Sequence, residues 1–308
     1  MTIPRVRLSH LDNLWFQVSG TLCNIACAHC FNNSGPNVKT FGYLSLEKAH
    51  QEIEAAERLG VKEFFFTGGE PFLHPQVLEM LELSLARAPA TVLTNGMLIS
   101  DRTADRLAEI ERAARYSLEI RISLDGYTEE MNAAIGGKGV FRQALAGMAR
   151  LSRRGLLPLV TVVRTWAEED ELEILAGFAR TLKSAGYARP RIKVLPALPL
   201  GRELVRSPGT AADEDLLNEG MLDGFDRDLL MCSNSRVVTD RGVWVCPLLI
   251  EKPDARLGNS LEGSASEYTL VHHACVSCYR YGTICSNPSA DGRIEMKAER
   301  TVAAGFRK

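Results

Sequence analysis

An α/β fold of successive parallel strand–helix units, with a small cysteine-rich module after it, is what this chain of 308 residues predicts. Three observations carry that expectation. From about residue 13 to residue 195, short β-branched or aromatic runs alternate with amphipathic helical stretches, the pattern of parallel βα units. After residue 195 the periodicity fades into PALPLGRELVRSPGTAADED, rich in proline, glycine and charge. The eight cysteines fall in two distant groups: Cys23, Cys27 and Cys30, then Cys232, Cys246, Cys275, Cys278 and Cys285. The length suits one α/β barrel with an appendage.

Strands are expected at LWFQV (14–18), EFFFT (63–67), TVLT (91–94), EIRISL (119–124), PLVTVV (158–163) and RIKVL (191–195). The first helix starts at an N-cap, Ser45, sets Leu46, Ala49, Ile53 and Ala56 on one face, and stops at Gly60. Helices follow over 75–87, 101–114 and 141–153. The last, over 168–185, turns Leu172, Leu175, Ala179 and Leu182 inward and closes at Gly186. These elements make a core of residues 13–195. Residues 196–230 read as a connecting segment, and 231–308 as a module with short strand candidates RVVTD and VWVC. In so small a module a metal core replaces part of the missing hydrophobic one.

The formal net charge is −2 with acids and bases intermixed, which leaves no footprint for nucleic acid or an anionic membrane surface. The opening MTIPRVRLSHLDNLWFQ lacks the features of a secretory signal, and no apolar run approaches a membrane span. A cytoplasmic protein is expected, where cysteines serve metals rather than disulfides.

Cys23, Cys27 and Cys30 stand as CxxxCxxC directly after the first strand. Three thiolates in one tight loop make a soft-metal site with an open fourth position, suited to an iron–sulfur cluster. A zinc loop or unligated thiols are the plain alternatives, although His29, between two ligands, is poorly placed to complete a zinc shell. Functional groups of parallel barrels gather at the carboxyl ends of the strands. There the chain places TGGEP (67–71), then Asn95 and Gly96, then Asp125 and Gly126. Gly68 and Gly69 allow close backbone approach to a ligand, and Glu70 offers a carboxylate suited to a protonated amine. Each of these segments alone also reads as an ordinary turn.

Taken in order, CxxxCxxC followed by Phe31, then TGGEP, TNG and SLDG, resembles the radical S-adenosylmethionine (SAM) superfamily over about residues 13–195. The resemblance implies a partial (βα)6 TIM-like barrel in which Cys23, Cys27 and Cys30 hold a 4Fe-4S cluster. The open iron would be chelated by the methionine moiety of SAM. The resemblance further implies that Gly68, Gly69 and Glu70 bind the methionine amine, with Glu70 as acceptor, and that Phe31 lies near the adenine. Ser123, beside Asp125, would approach the methionine carboxylate or ribose. Asn95 joins this cofactor-binding set, and Arg142 and Arg164 are candidates to pair with the cofactor carboxylate.

Cys232 and Cys246 flank an expected hairpin, Cys275 and Cys278 form a CxxC, and Cys285 follows. With PLGR (199–202) and DARLGNSL (254–261), this resembles the auxiliary-cluster domains called SPASM and Twitch. Five cysteines cannot fill two four-cysteine shells, so one auxiliary 4Fe-4S cluster is expected on Cys232, Cys246, Cys275 and Cys278. Cys285 is left as substitute ligand, thiol donor or buried cysteine, and zinc is the alternative metal.

The expected function is reductive cleavage of SAM to a 5'-deoxyadenosyl radical and hydrogen abstraction from a small-molecule or peptide substrate. The outcome is a net oxidation or peptide modification, with the auxiliary cluster as electron acceptor and a flavodoxin- or ferredoxin-type protein as donor. Pro247 follows Cys246 where sulfatase-maturing relatives carry an aspartate base, which argues against that activity. The chain enters its first strand at once, so a small molecule, or a peptide bound without a leader-recognition domain, is expected. An iron–sulfur carrier or scaffold without SAM cleavage, and a zinc-dependent binding module, are the competing classes. TGGEP separates them, because a carrier needs no amine-binding edge beside an open iron.

Overall fold

The computed structural model describes residues 2–207 and 216–282, together with the backbone of residues 301–303. The first strands are β1 (Arg5–Val6) and β2 (Asn13–Gln17), and α1 (Leu46–Arg58) follows. Strand–helix units then run β3 (Glu63–Thr67), α2 (Val77–Leu85), β4 (Ala90–Thr94), α3 (Asp101–Ala113) and β5 (Leu118–Ser123). The succession continues with α4 (Glu129–Gly136), α5 (Val140–Arg153), β6 (Leu159–Val163), α6 (Glu171–Ser184) and β7 (Arg191–Leu195). Beyond them lie α7 (Gly201–Arg206), α8 (Met231–Asn234), β8 (Ser235–Thr239), β9 (Gly242–Trp244) and β10 (Arg256–Gly258). Last come β11 (Tyr268–Thr269), α9 (His273–Tyr281) and β12 (Thr301–Ala303).

Strands β2 to β7 are parallel neighbours in sequence order, as a partial barrel requires. Their alternation explains the burial. Leu14, Phe16, Phe64, Phe66, Val92, Ile120 and Ile122 pack with Ile53, Met80, Leu107, Met148 and Phe178 of the helices. The intervening residues face the other way, where Trp15 stacks on Phe65 with ring centroids 4.3 Å apart. On the same strands, Arg121 and Arg191 each donate to Glu119, at 2.7 and 2.8 Å. Burial opposes ionisation of Glu119, yet the two guanidinium groups win and hold its carboxyl below the ordinary range.

The boundary near residue 231 is a change of sequence pattern within one continuous sheet. Strand β8 pairs in parallel with β2, with Val237 opposite Trp15, and β9 and β10 extend that edge antiparallel. At the far edge β12 pairs antiparallel with β7. Strand β1 pairs with β11, tying the start of the chain to the cysteine-rich part. Trp15 and Phe65 accordingly share a core with Cys232, Cys246, Cys275 and Cys278. Among the described residues, no helix is long and apolar enough to cross a membrane.

Two helical expectations need correction. Leu172 is 79% exposed, whereas Ile174, Leu175, Phe178 and Leu182 are buried. At 100° per residue those four form one stripe from which Leu172 points well away, and Gly177 beside it lets the Tyr127 ring lie against the helix. Helix α4 was not foreseen, although Thr128 caps it by accepting from Met131 N and Glu129 and Glu130 fill its first turn.

Candidate active site

The cysteine loop is built by main-chain contacts on three sides. Gly69 N donates to Gly20 O at 2.9 Å and Glu70 N to Leu22 O at 3.0 Å. A Cβ on Gly69 would stand 2.0 Å from Leu22 O, so glycine is required for the two loops to touch. Ala28 N donates to Ile135 O of α4 at 2.8 Å, and Arg202 N to Cys30 O at 3.0 Å. The Arg202 side chain closes the third side, with Nε donating to Cys27 O at 2.7 Å and Nη2 to Ser34 O at 2.6 Å. Gly201 has φ +55°, and a Cβ there would sit 2.4 Å from Phe31 O.

At the carboxyl ends of the strands lies a cavity of about 210 Å³ whose walls include Cys23, Cys27, Cys30, Phe31, Gly68, Gly69, Asn95, Ser123 and Asp125. Trp15, His29, Arg202, Glu203 and Pro247 line it too. Asn95 Nδ2 donates to Asn24 Oδ1 at 2.7 Å, fixing the loop beside Cys23. His29 meets Asp125 Oδ1 at 2.7 Å. Burial opposes protonation of this imidazole, but Asp125 outweighs it and the pKa is raised.

Glu70 behaves differently from its expected role. It is fully buried, and its carboxylate accepts from Thr94 Oγ1 at 2.7 Å, Phe72 N at 3.0 Å and Asn95 N at 2.8 Å. Thus it ties the end of β3 to the end of β4, and the cavity edge presents the Gly68 and Gly69 main chain instead. Burial pushes its pKa to about 7 despite those three donors. Arg142 is exposed and pairs with Glu129, and Arg164 pairs with Glu171, so neither faces the cavity.

The second cysteine group also converges. Cys232 on α8, Cys246 after β9, and Cys275 and Cys278 on α9 line one small apolar pocket with Met231, Leu249, Tyr268 and Leu270. Cys285 lies outside the described residues. His272 pairs with Asp254 at 2.8 Å.

Both sites fit iron–sulfur clusters by their donor chemistry. Burial raises the thiols of Cys23 and Cys278 to about 11, that of Cys275 to about 12, and those of Cys27, Cys232 and Cys246 well above the ordinary range. Such thiols ionise only with positive charge among them, which iron supplies. At the first cavity the buried Ser34 hydroxyl has no partner among the described residues and would be satisfied by an acceptor on a bound group.

Several residues of this site were not legible in the sequence. Arg202 was legible only as part of PLGR, and α4's contact with the cysteine loop depends on folding. His29 carried a weak signal in its place inside the cysteine motif.

A family model described as the Radical SAM superfamily matches residues 18–174. Mycofactocin maturase MftC of Mycobacterium tuberculosis is 34% identical over 167 residues, covering 52% of this chain and 41% of that protein. The antilisterial bacteriocin subtilosin biosynthesis protein AlbA of Bacillus subtilis is 30% identical over 154 residues, covering 49% of this chain and 33% of that protein. The match to these curated relatives thus spans well under half of their length. Streptococcus suis SuiB bound to precursor peptide SuiA has the same fold, with a TM-score of 0.62 at 14% identity over 94% of this chain and 71% of that one.

Proposed function

We propose, for a chain that belongs to the radical SAM superfamily, the role of a peptide-modifying oxidoreductase that holds a 4Fe-4S cluster and SAM in the barrel cavity and one auxiliary cluster beside it. The observation that carries this reading is the meeting, in one cavity, of Cys23, Cys27 and Cys30 with the Gly68 and Gly69 main chain and Asn95. When bound, the cluster and SAM supply a 5'-deoxyadenosyl radical that takes a hydrogen atom from the substrate, and an auxiliary cluster supplies an acceptor for the electron left behind.

The chain's own residues bind, orient and enclose. Cys23, Cys27 and Cys30 would carry the first cluster, and Arg202 fixes their loop by gripping Cys27 O and Ser34 O. The Gly68 and Gly69 edge would receive the methionine amine, with Phe31 and Ser123 on the walls for adenine and ribose. Asp125 holds the His29 ring in a hydrogen bond. Leu93, Val163 and Leu195 make the cavity walls largely apolar, which excludes water from a radical. Cys232, Cys246, Cys275 and Cys278 would carry the auxiliary cluster. Pro247, next to Cys246, also lines the first cavity, so the two sites adjoin.

A peptide is the substrate class best supported, because SuiB, which shares the fold, is bound to a precursor peptide and AlbA is named for biosynthesis of a bacteriocin. The electron donor would be of flavodoxin or ferredoxin type. Anaerobic reconstitution with iron counting and a dithionite-driven cleavage assay tests the reading. About eight irons per chain and 5'-deoxyadenosine that disappears in Cys27→Ala are expected. Zinc in place of iron, or intact clusters without cleavage, would overturn it. Deuterium transfer from a labelled peptide into 5'-deoxyadenosine tests the substrate class; transfer only from a small molecule would refute the peptide.

A further inference from the structure

Hydrogen-bonded to Cys232, one of the four cysteines of the second site, stands a cation that no carboxylate among the described residues answers. Arg236, the second residue of β8, is wholly buried. Its Nε donates to Ser264 O at 3.0 Å, and its Nη1 to the carbonyls of Cys232 and Ser235, both at 2.7 Å. Among the described residues its partners are therefore neutral carbonyls. A buried guanidinium without a counter-ion is costly, and a neutral side chain would ordinarily replace it. The bond to the Cys232 carbonyl ties it to the auxiliary site, and the ionisable side chains whose charge would act on it are the thiols of Cys232 and Cys246, two of the four there.

We propose that Arg236 is the built-in counter-charge of the auxiliary iron–sulfur site: it offsets the negative charge that four thiolates bring to a bound cluster and raises that cluster's reduction potential. The inference rests on reading Cys232, Cys246, Cys275 and Cys278 as cluster ligands. Its physical basis is simple. Reduction adds one electron and no proton to an already anionic group, so a fixed positive charge nearby favours the reduced form. The same arginine holds the Cys232 carbonyl, so charge and ligand are fixed to one another by a single side chain. It is a positioning residue whose side chain does not line the substrate cavity.

The test uses the anaerobically reconstituted full chain in a background lacking Cys23, Cys27 and Cys30, so that only the auxiliary site contributes to the spectrum. Iron content is measured first. It should fall to background when Cys275 and Cys278 are also replaced by serine; iron that persists overturns the ligand reading and the proposal with it. The midpoint potential is then read by electron paramagnetic resonance during titration with dithionite. Arg236→Gln should lower the midpoint, and Arg236→Lys, which keeps the charge, should stay near the parent value. An unshifted Arg236→Gln overturns the counter-charge while leaving the ligand reading intact. Equal lowering in both variants assigns the effect to the carbonyl contacts and overturns it too. Should Arg236→Gln load poorly, the rise in melting temperature on cluster loading is compared in parent and Arg236→Lys. A retained rise supports the proposal, and a lost rise refutes it.

Discussion

At the scale of single residues, Arg202 and Glu70 do work that their motifs do not advertise. Arg202 makes two charge-assisted hydrogen bonds to carbonyls of the cysteine loop, each worth about 1.5–3 kcal/mol. Arg202→Met should therefore lower first-cluster loading, seen as a loss of up to about four irons per chain, with the auxiliary iron retained. Arg202→Lys should recover it only partly, because one ammonium cannot span both carbonyls. Glu70 yields a pH prediction. Its folded pKa, raised to about 7 by burial, lies above the unfolded value, so its stabilising contribution is complete below about pH 4 and is lost as pH rises through 7. Between pH 5 and 8 the cluster-free protein should lose up to about 3 kcal/mol relative to Glu70→Gln, read from denaturant melts at each pH. Parallel pH curves for the two proteins would contradict this. The motif TGGEP was legible in the sequence, but the direction of its carboxylate was not. That direction depends on Thr94 and Asn95, which reach Glu70 only once β3 and β4 are paired.

At the scale of elements, what could be read was whatever depends on local periodicity and caps. Ser45 caps α1 by accepting from Lys48 N, and all six expected strands form where β-branched and aromatic runs stand. Helix α6 shows the limit. Its buried stripe is chosen by the sheet beneath it, and Leu172 falls outside although its spacing to Leu175 is helical. Phe178→Ala should then cost about 3–5 kcal/mol, and Leu172→Ser within about 0.5 kcal/mol, measured by chemical denaturation. A comparable loss at both positions would show that the stripe is wrongly identified. Helix α7 carries a second test. Gly201→Ala forces a side chain into a left-handed position and against Phe31 O. It should displace Arg202 and copy the iron loss of Arg202→Met while leaving the global melt nearly unchanged.

At the scale of the whole molecule, the cysteine-rich part and the barrel share a sheet. That was beyond sequence reasoning, because the pairing of β8 with β2 joins segments more than two hundred residues apart and neither carries a mark of its partner. The shared core has a consequence for stability. Trp15 and Phe65 pack in the same cluster as Cys232, Cys246, Cys275 and Cys278, so loss of the auxiliary cluster removes support from the barrel's own strand β2. Two separable domains would melt in two steps, each with its own ligand dependence. One sheet whose strand β2 packs into the cores on both of its faces should melt as a unit. Cys275→Ser is therefore expected to lower a single transition, with far-UV circular dichroism and the fluorescence of the tryptophans, among them Trp15 and Trp244, moving together. If the barrel signal holds its midpoint while the C-terminal part melts early, the sheet pairing does not couple the two, and the auxiliary site is an independent module after all.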